Sequence, residues 1–409
     1  LASANKIKRF GFITTDSITQ DFGRPVVADA VENKGLHIAY AIPEHPWYDE
    51  GAAVQIAMTV VTKENVRPVL GTVVKRDRTR ASELDFVRVE DREADVIHAD
   101  LSVGAKTLAA VPLVSNAGIC YQGMNLVGGG FRMSREELTD AGYDRKKLPA
   151  VLHPYFIGKD LVQRRTERYV IDFYGVEPDD AREQFPTLWD RVVKLVKPER
   201  QKNNRDSRRK NWWLFGEPVG KLRKALAGLS RYIVTTETAK HLVFQFVSGD
   251  TTPDHTIYAI ASDDASHLGV LSSRVHAVWS AVAGATLEDR PRWRNLRCFD
   301  PFPFPDATAA KRAKVAKLGE AIDAHRKARQ KADPELALTD IYNVIVKLRT
   351  GETLTDNDKS VRTRALADTL RSLHDDLDAA VFDAYGWPAT LTDDEILTRL
   401  VDLNAKRAQ

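Results

Sequence analysis

Cysteine is nearly missing from this chain: Cys120 and Cys298 are the only two in 409 residues. Two thiols could form one bridge at most, and a lone pair fits a reducing cytoplasm better than a disulfide scaffold. The fold must therefore rest on buried core, and the length allows two or three domains with at least one sizeable core. Long hydrophobic runs are missing too. The longest, Ala52 to Val61, is broken by Gln55 and Thr59 and is too short to span a bilayer, so no membrane partner is expected. No secretory leader is legible, because Lys6, Lys8 and Arg9 run straight into a strand. Leu1 stands where a native start would carry Met, and the sequence reads as a piece of a longer chain.

Motifs for chemistry are equally sparse. The ten histidines are scattered, no HExxH occurs and the cysteines lack ligand spacing, so no metal site is expected. His267 and His276 flank what reads as one helix but stand on different faces, as structural histidines do. "VGGGF" at 127–131 lacks both GxGxxG spacing and a following helix, and reads as a tight turn. Neither GxSxG nor a P-loop appears. Asp179-Asp180 and Asp263-Asp264 sit at helix starts, where the macrodipole favours them. The chain shows no complete catalytic apparatus.

What is present is a local concentration of charge. The net charge is only +3, with 43% hydrophobic and 29% charged residues, as in an ordinary soluble protein. Yet eight Lys/Arg lie between Lys194 and Lys210, opposed only by Glu199 and Asp206, and Trp212-Trp213 follow at once. A basic run beside aromatics is the footprint of a nucleic-acid surface. Its alternative is a solvated loop.

Periodicity divides the chain into three. To about residue 75, strands such as "FGFITT", "LHIAYAI" and "AAVQIAMTVVT" alternate with helix. From 76 to 305 the elements are mixed. Ser134-x-x-Glu137 is a capping box, Phe185, Leu188, Trp189, Val192 and Val196 share a helical face, and Leu268, Leu271, Val275, Val278 and Val282 predict one buried helix ended by Gly284. "FDPFPFPD" at 299–306 can be neither helix nor central strand and reads as a pinned linker. From 306 to 409 the chain reads as helical, with Leu366, Leu370, Leu373, Leu377 and Val381 in one stripe and Thr392-x-x-Glu395 capping the last helix. The fold class expected is mixed α+β.

Seven stretches occur in an order that resembles a known family: "FGFITTDSITQ", "YQGMNLVGGGF", "LHPYFIGKDLVQRRTERYVIDFYG", "VKPER…NWWLFG", "LGVLSSRVHAVW", "CFDPFPFP" and "LDAAVFDAYGWP". Together they resemble the C-terminal part of adenine-specific DNA methyltransferases, in particular the single-chain MmeI-like (type IIG) restriction-modification enzymes. The resemblance implies that residues 1–75 are the end of a Rossmann-like methyltransferase domain, 76–305 a DNA target recognition domain and 306–409 a helical C-terminal domain. It implies double-stranded DNA as partner and S-adenosylmethionine as cofactor of the parent enzyme. The glycine loop for that cofactor and the Asn-Pro-Pro-aromatic motif for the adenine lie upstream in the family, and neither occurs here. An upstream methyltransferase domain, in the same or a separate chain, is thus implied, and this chain alone is expected to be inactive. Asp16 stands where relatives often have Asn.

The family's reaction takes place on a flipped adenine, which needs an aromatic face in place of its lost stacking. The resemblance places Trp47 there, with Tyr48 in reserve. Phosphate contacts are expected from Lys202, Arg205, Arg208, Arg209 and Lys210 in the basic run. Base readers are expected in "TLEDRPRWRNLR" at 286–297, read as an irregular segment held at both ends. There Glu288 can accept from the cytosine amine, while Arg290, Arg292, Arg294 and Arg297 can be bidentate to guanine. The rival reading is a non-enzymatic specificity subunit serving a separate catalytic chain. A third, an RNA-binding protein, lacks any RNA module.

Overall fold

A computed structural model describes residues 7–15, 18, 24–49, 52–77, 86–105, 107–287 and 290–408. It divides into two compact units, residues 1–109 with 397–401 and residues 110–396 with 402–409. The architecture is mixed α+β, with several small sheets and a run of helices in the last hundred residues.

The first unit is built on β1 (Arg9–Thr15), β2 (His37–Asp49), β3 (Ala52–Thr62), β4 (Val69–Asp77) and β5 (Phe86–Glu93), in the order β1-β3-β2-β4-β5. Strand β3 is antiparallel to both β1 and β2, so those two run parallel with a reversed strand between them. Ile38, Ala41, Ala57 and Val61 bury one face against Val27, Leu36, Ile97 and Leu101. Pro43 and Pro46 would be expected to end β2, since proline brings no ladder donor. The strand nevertheless continues to Asp49, because the register shifts between Ile42 and His45 and the bulge absorbs Pro43. The boundary read at 75/76 falls inside β4, which pairs with β5 along its length.

In the second unit, β6 (Cys120–Gln122), β10 (Arg231–Thr236), β11 (Gln245–Ser248) and β13 (Ile257–Ile260) form an antiparallel sheet in the order β11-β10-β13-β6. A second sheet, in the order β12-β8-β9-β7, joins β7 (Arg132–Ser134), β8 (Leu152–Phe156), β9 (Arg168–Ile171) and β12 (Thr252–Pro253). Between the first sheet and its helices lie Ile233, Phe244, Phe246, Tyr258, Leu268, Leu271, Trp293 and Phe299. The Ser134 capping box forms as its sequence predicts. Helix Pro186–Leu195 buries Leu188, Trp189 and Val192.

One helix reads differently in space. The stripe from 268 to 282 is two helices, Ala265–Leu271 and Arg274–Ala283. Ser273 adopts an extended backbone, its hydroxyl donates to the Val270 carbonyl (2.7 Å), and the Arg274 amide turns to Asp378 instead (2.7 Å). The break rotates the second helix, so Val275, Trp279 and Ala283 face the core while Val282 is exposed.

The Pro/Phe stretch after residue 298 is held as a linker must be. Asn116 Nδ2 donates to the carbonyls of Phe299, Asp300 and Phe302, Asn404 Nδ2 to Pro301, and the Tyr385 hydroxyl to Pro303. With no ladder to join, its backbone acceptors are satisfied by side chains. Beyond it run helices Ala309–Ala332, Leu338–Thr350, Asp356–Ala365, Ala367–Tyr385 and Asp393–Arg407.

Candidate nucleic-acid interface

The basic run folds as two short helices, Lys197–Gln201 and Asp206–Lys210, joined by an exposed turn. Its cations are not equivalent. Arg200 is 1% exposed, and its Nη2 donates to the carbonyls of Leu126 and Leu214, both at 2.8 Å. It pins the backbone at Leu126, ahead of the glycine turn, and the segment after Trp213 to one point, so it is structural. Arg208, largely buried, donates to Glu217 Oε1 at 2.8 Å, and the exposed Arg205 stands 3.7 Å from the same oxygen. Arg209 is tied to the Asn203 carbonyl (2.6 Å) and to Asp206. Lys202 and Lys210 are exposed and, among the described residues, pair with no carboxylate. Of the five expected phosphate contacts, these two lysines carry the unpaired charge, and Arg205 shares Glu217 with Arg208 from an exposed position. The aromatic neighbours are packing partners: Trp212 lies between Trp189 and Trp213, with the Lys197 ammonium 4.9 Å from its ring centre.

The segment 286–297 is more regular than its sequence suggests. Strand β14 (Ala285–Leu287) pairs with β15 (Arg290–Arg292) as a two-stranded hairpin, in the register Ala285↔Arg292, Thr286↔Pro291 and Leu287↔Arg290. Proline is tolerated because this pair has only edges. Arg292 donates from Nε (2.7 Å) and Nη2 (2.5 Å) to Glu237 Oε1, and the Trp293 amide donates to the Glu237 carbonyl (2.8 Å). Trp293 is 3% exposed and packs edge-on against Phe244, Tyr258 and Phe299. Arg292 is thus an anchor for the hairpin as well as a charge. Arg294 is half-buried and, among the described residues, pairs with no carboxylate. Glu288 lies outside the described residues, and for Arg290 the backbone alone is described. The hairpin was missed in the sequence because its signal is three residues per arm. Glu237 was missed because its partner is 55 residues away.

In the first unit, Trp47 lies within β2, opposite Val54, and is 42% exposed. It stands inside β2, ahead of β3 in the chain. Asp16 lies outside the described residues. The histidines are satisfied locally: His267 Nδ1 is 2.8 Å from the Ser262 hydroxyl, and His276 Nδ1 is 3.0 Å from the Leu271 carbonyl. Both cysteines are free and buried, and burial pushes the Cys298 thiol up to about 12. Among the described residues, no helix is long and apolar enough to cross a membrane.

Residues 110–306 match the family described as MmeI, target recognition domain. The start of the match is the division between the two units, and its end is the last residue of the pinned linker. This segment is an MmeI-like target recognition domain. The structure of the type IIL restriction-modification enzyme MmeI in complex with DNA superposes with a TM-score of 0.73 at 18% identity, covering 99% of this chain and 50% of that one. DNA methyltransferase A of Bacillus subtilis (strain 168) is 22% identical over 316 residues, 75% of this chain. The chain spans about a third of that relative's length. Both the basic helices and the β14–β15 hairpin fall inside the target recognition domain, and each is anchored from within it, the one by Glu217 and the other by Glu237.

Proposed function

We propose that this chain supplies DNA sequence recognition for an S-adenosylmethionine-dependent, adenine-specific DNA methyltransferase of the MmeI-like, type IIG kind. The carrying observation is the target recognition domain at 110–306, which holds an anchored hairpin and a basic helix pair. The reading of β1, β3 and β2 as the closing strands of a Rossmann-like methyltransferase sheet supports the same assignment. Two parallel strands with a reversed strand between them, followed by a recognition domain, suit a chain whose catalytic half precedes it.

In this reading Lys202, Arg205 and Lys210 contact phosphate, which positions the domain without selecting a sequence. Glu288 and Arg290 read base edges, together with Arg294. Arg292 holds the hairpin to Glu237, so its loss acts through the hairpin's position. Trp47 stacks on the flipped adenine. A binding selection on randomised duplexes tests the assignment, using the parent and the Glu288→Ala, Arg290→Ala and Lys202→Ala/Lys210→Ala variants. The first two should change the preferred bases at one position each, at about 1–3 kcal/mol per base pair. The double lysine variant should bind every duplex more weakly and keep the parent's preference. One identical preferred sequence for all four proteins would remove the hairpin from the reading site.

A further inference from the structure

The loop Gln163-Arg164-Arg165-Thr166-Glu167, between helix Gly158–Val162 and β9, borders a cavity of about 430 Å³ far along the chain from the basic helices. Arg145, Arg165, Arg168, Tyr155, Tyr169 and Thr251 line it. Its frame is rigid. Arg168 Nη1 lies 2.6 and 2.5 Å from the two oxygens of Asp160, which also accepts the backbone amides of Ile157 (3.0 Å) and Thr166 (3.1 Å). The Tyr155 hydroxyl is given to Asp254, and the Tyr169 hydroxyl donates to Glu167 at 2.5 Å.

The charges do not cancel. Asp160 is consumed by Arg168, and Glu167 is shared between Arg145 (3.6 Å) and Arg135 (3.7 Å). Arg165 pairs with no carboxylate among the described residues, and its guanidinium lies 5.6 Å from the centre of the Phe156 ring. Three guanidiniums therefore line the cavity against the one lining carboxylate, Glu167, with the exposed Lys146 and Lys147 next to Arg145. A guanidinium held over a ring is oriented in advance, and its planar fork matches the oxygens of a phosphate. Eight of the nine lining residues carry a polar or charged group, which suits a sugar–phosphate unit better than an apolar ligand.

We propose that this cavity is a backbone-phosphate site, where duplex DNA seats a phosphodiester group against Arg165 and Arg145. The proposal rests on the DNA-recognition reading and adds to it a contact that the basic run does not supply. Such a contact fixes register on the duplex and carries no base preference. Binding of a preferred and a scrambled duplex, measured by fluorescence anisotropy across a salt series, tests it with Arg165→Ala, Arg165→Lys and Arg145→Gln. Arg165→Ala should weaken both duplexes by the same factor, roughly three- to tenfold at low salt, and flatten the log–log slope by about 0.9. Arg165→Lys should keep the slope, and Arg145→Gln should act in the same direction as Arg165→Ala. Calorimetry with inorganic phosphate separates the two sources of this chemistry. Phosphate binding lost in Arg165→Ala, with duplex affinity and slope unmoved, would assign the cavity to a free anion and overturn the proposal. An Arg165→Ala variant equal to the parent in both assays overturns it as well. A parent that binds no duplex at any salt removes the recognition reading itself, an outcome distinct from either.

Discussion

Arg292 shows how much a single side chain's meaning depends on its partner. In the sequence it is one of four arginines in a short stretch; in the fold both of its contacting nitrogens are spent on Glu237. Arg292→Ala would leave a largely buried carboxylate without its donors, an effect of about 1–3 kcal/mol. We expect a lower denaturant midpoint for that variant, and substantial recovery when Glu237 is also made apolar, since it is the orphaned charge that destabilises. A double mutant as unstable as the sum of the singles would argue against this. A second residue-scale expectation concerns pH. Burial pushes the Asp300 carboxyl up to about 6 and depresses the buried His276 to about 4. The Asp300 proton is held more tightly in the fold, so its stabilisation is complete below about pH 3.9 and is lost as pH rises through 6. His276 works in the opposite sense: the fold prefers it neutral, and stability is lost as pH falls from about 6.5 towards 4. Asp300→Asn should therefore stabilise the protein at pH 7–8, with the gain shrinking to nothing near pH 4. Its profile should fall more steeply with acid than the parent's, as thermal unfolding in a pH series would show.

Among the elements, helices Ala265–Leu271 and Ala309–Ala332 cross where two glycines meet. A Cβ on Gly319 would lie 2.8 Å from the Ala265 carbonyl oxygen and 3.0 Å from the Gly269 amide nitrogen, and one on Gly269 would lie 2.8 Å from the Val315 carbonyl oxygen. These are backbone-to-backbone approaches that no rotamer change relieves. Gly319→Ala raises intrinsic helix propensity by about 1 kcal/mol, yet we expect a net loss of about 1–3 kcal/mol because the helices must separate. A higher melting temperature for Gly319→Ala would show that the crossing yields at little expense. The last helix depends instead on its start. Thr392 accepts from the Glu395 amide while the Glu395 carboxylate accepts from the Thr392 amide at 2.8 Å. Thr392→Ala should lower stability by about 1 kcal/mol, whatever the solution's salt. These capping boxes were legible in four residues of sequence, because every partner is local. The glycine crossing was not, because each half is an unremarkable helical glycine until the other is placed against it.

For the molecule as a whole, the proposed recognition function makes duplex binding electrostatic at long range and selective at short range. Each neutralised phosphate contributes about −0.9 to the slope of log K against log salt on B-DNA. The Lys202→Ala/Lys210→Ala variant should accordingly flatten the slope by about 1.8 if both lysines meet phosphate. A slope equal to the parent's would return the basic run to the role of a solvated loop. The 409 residues contain neither the glycine loop nor the Asn-Pro-Pro-aromatic motif of the methyltransferases they resemble. Calorimetry with S-adenosylmethionine should therefore give no binding heat for this chain, and a tritiated methyl-transfer assay no product. Turnover by the purified chain would place the catalytic groups in residues so far read as recognition and support.

What the sequence determined alone was whatever depends on neighbours in the chain. The capping boxes, the apolar stripe of Pro186–Leu195, the rigid Pro/Phe linker and the concentration of basic charge are set within a few residues or one helical turn. The ordered motifs also carried the family likeness. What only the tertiary structure decided was the use of each charge. Arg200 and Arg208 belong to one basic run, yet one is buried under two carbonyls and the other is matched by Glu217, while Lys202 and Lys210 pair with no carboxylate among the described residues. The break at Ser273 needed Asp378, more than a hundred residues on, to take the Arg274 amide. The cavity around Arg165 needed β8, β9 and two distant loops to bring like charges together. Helical and capping signals are local, and a short sequence window contains them. A charge's availability depends on the nearest opposite charge in space, which is set by the packing of elements distant in sequence.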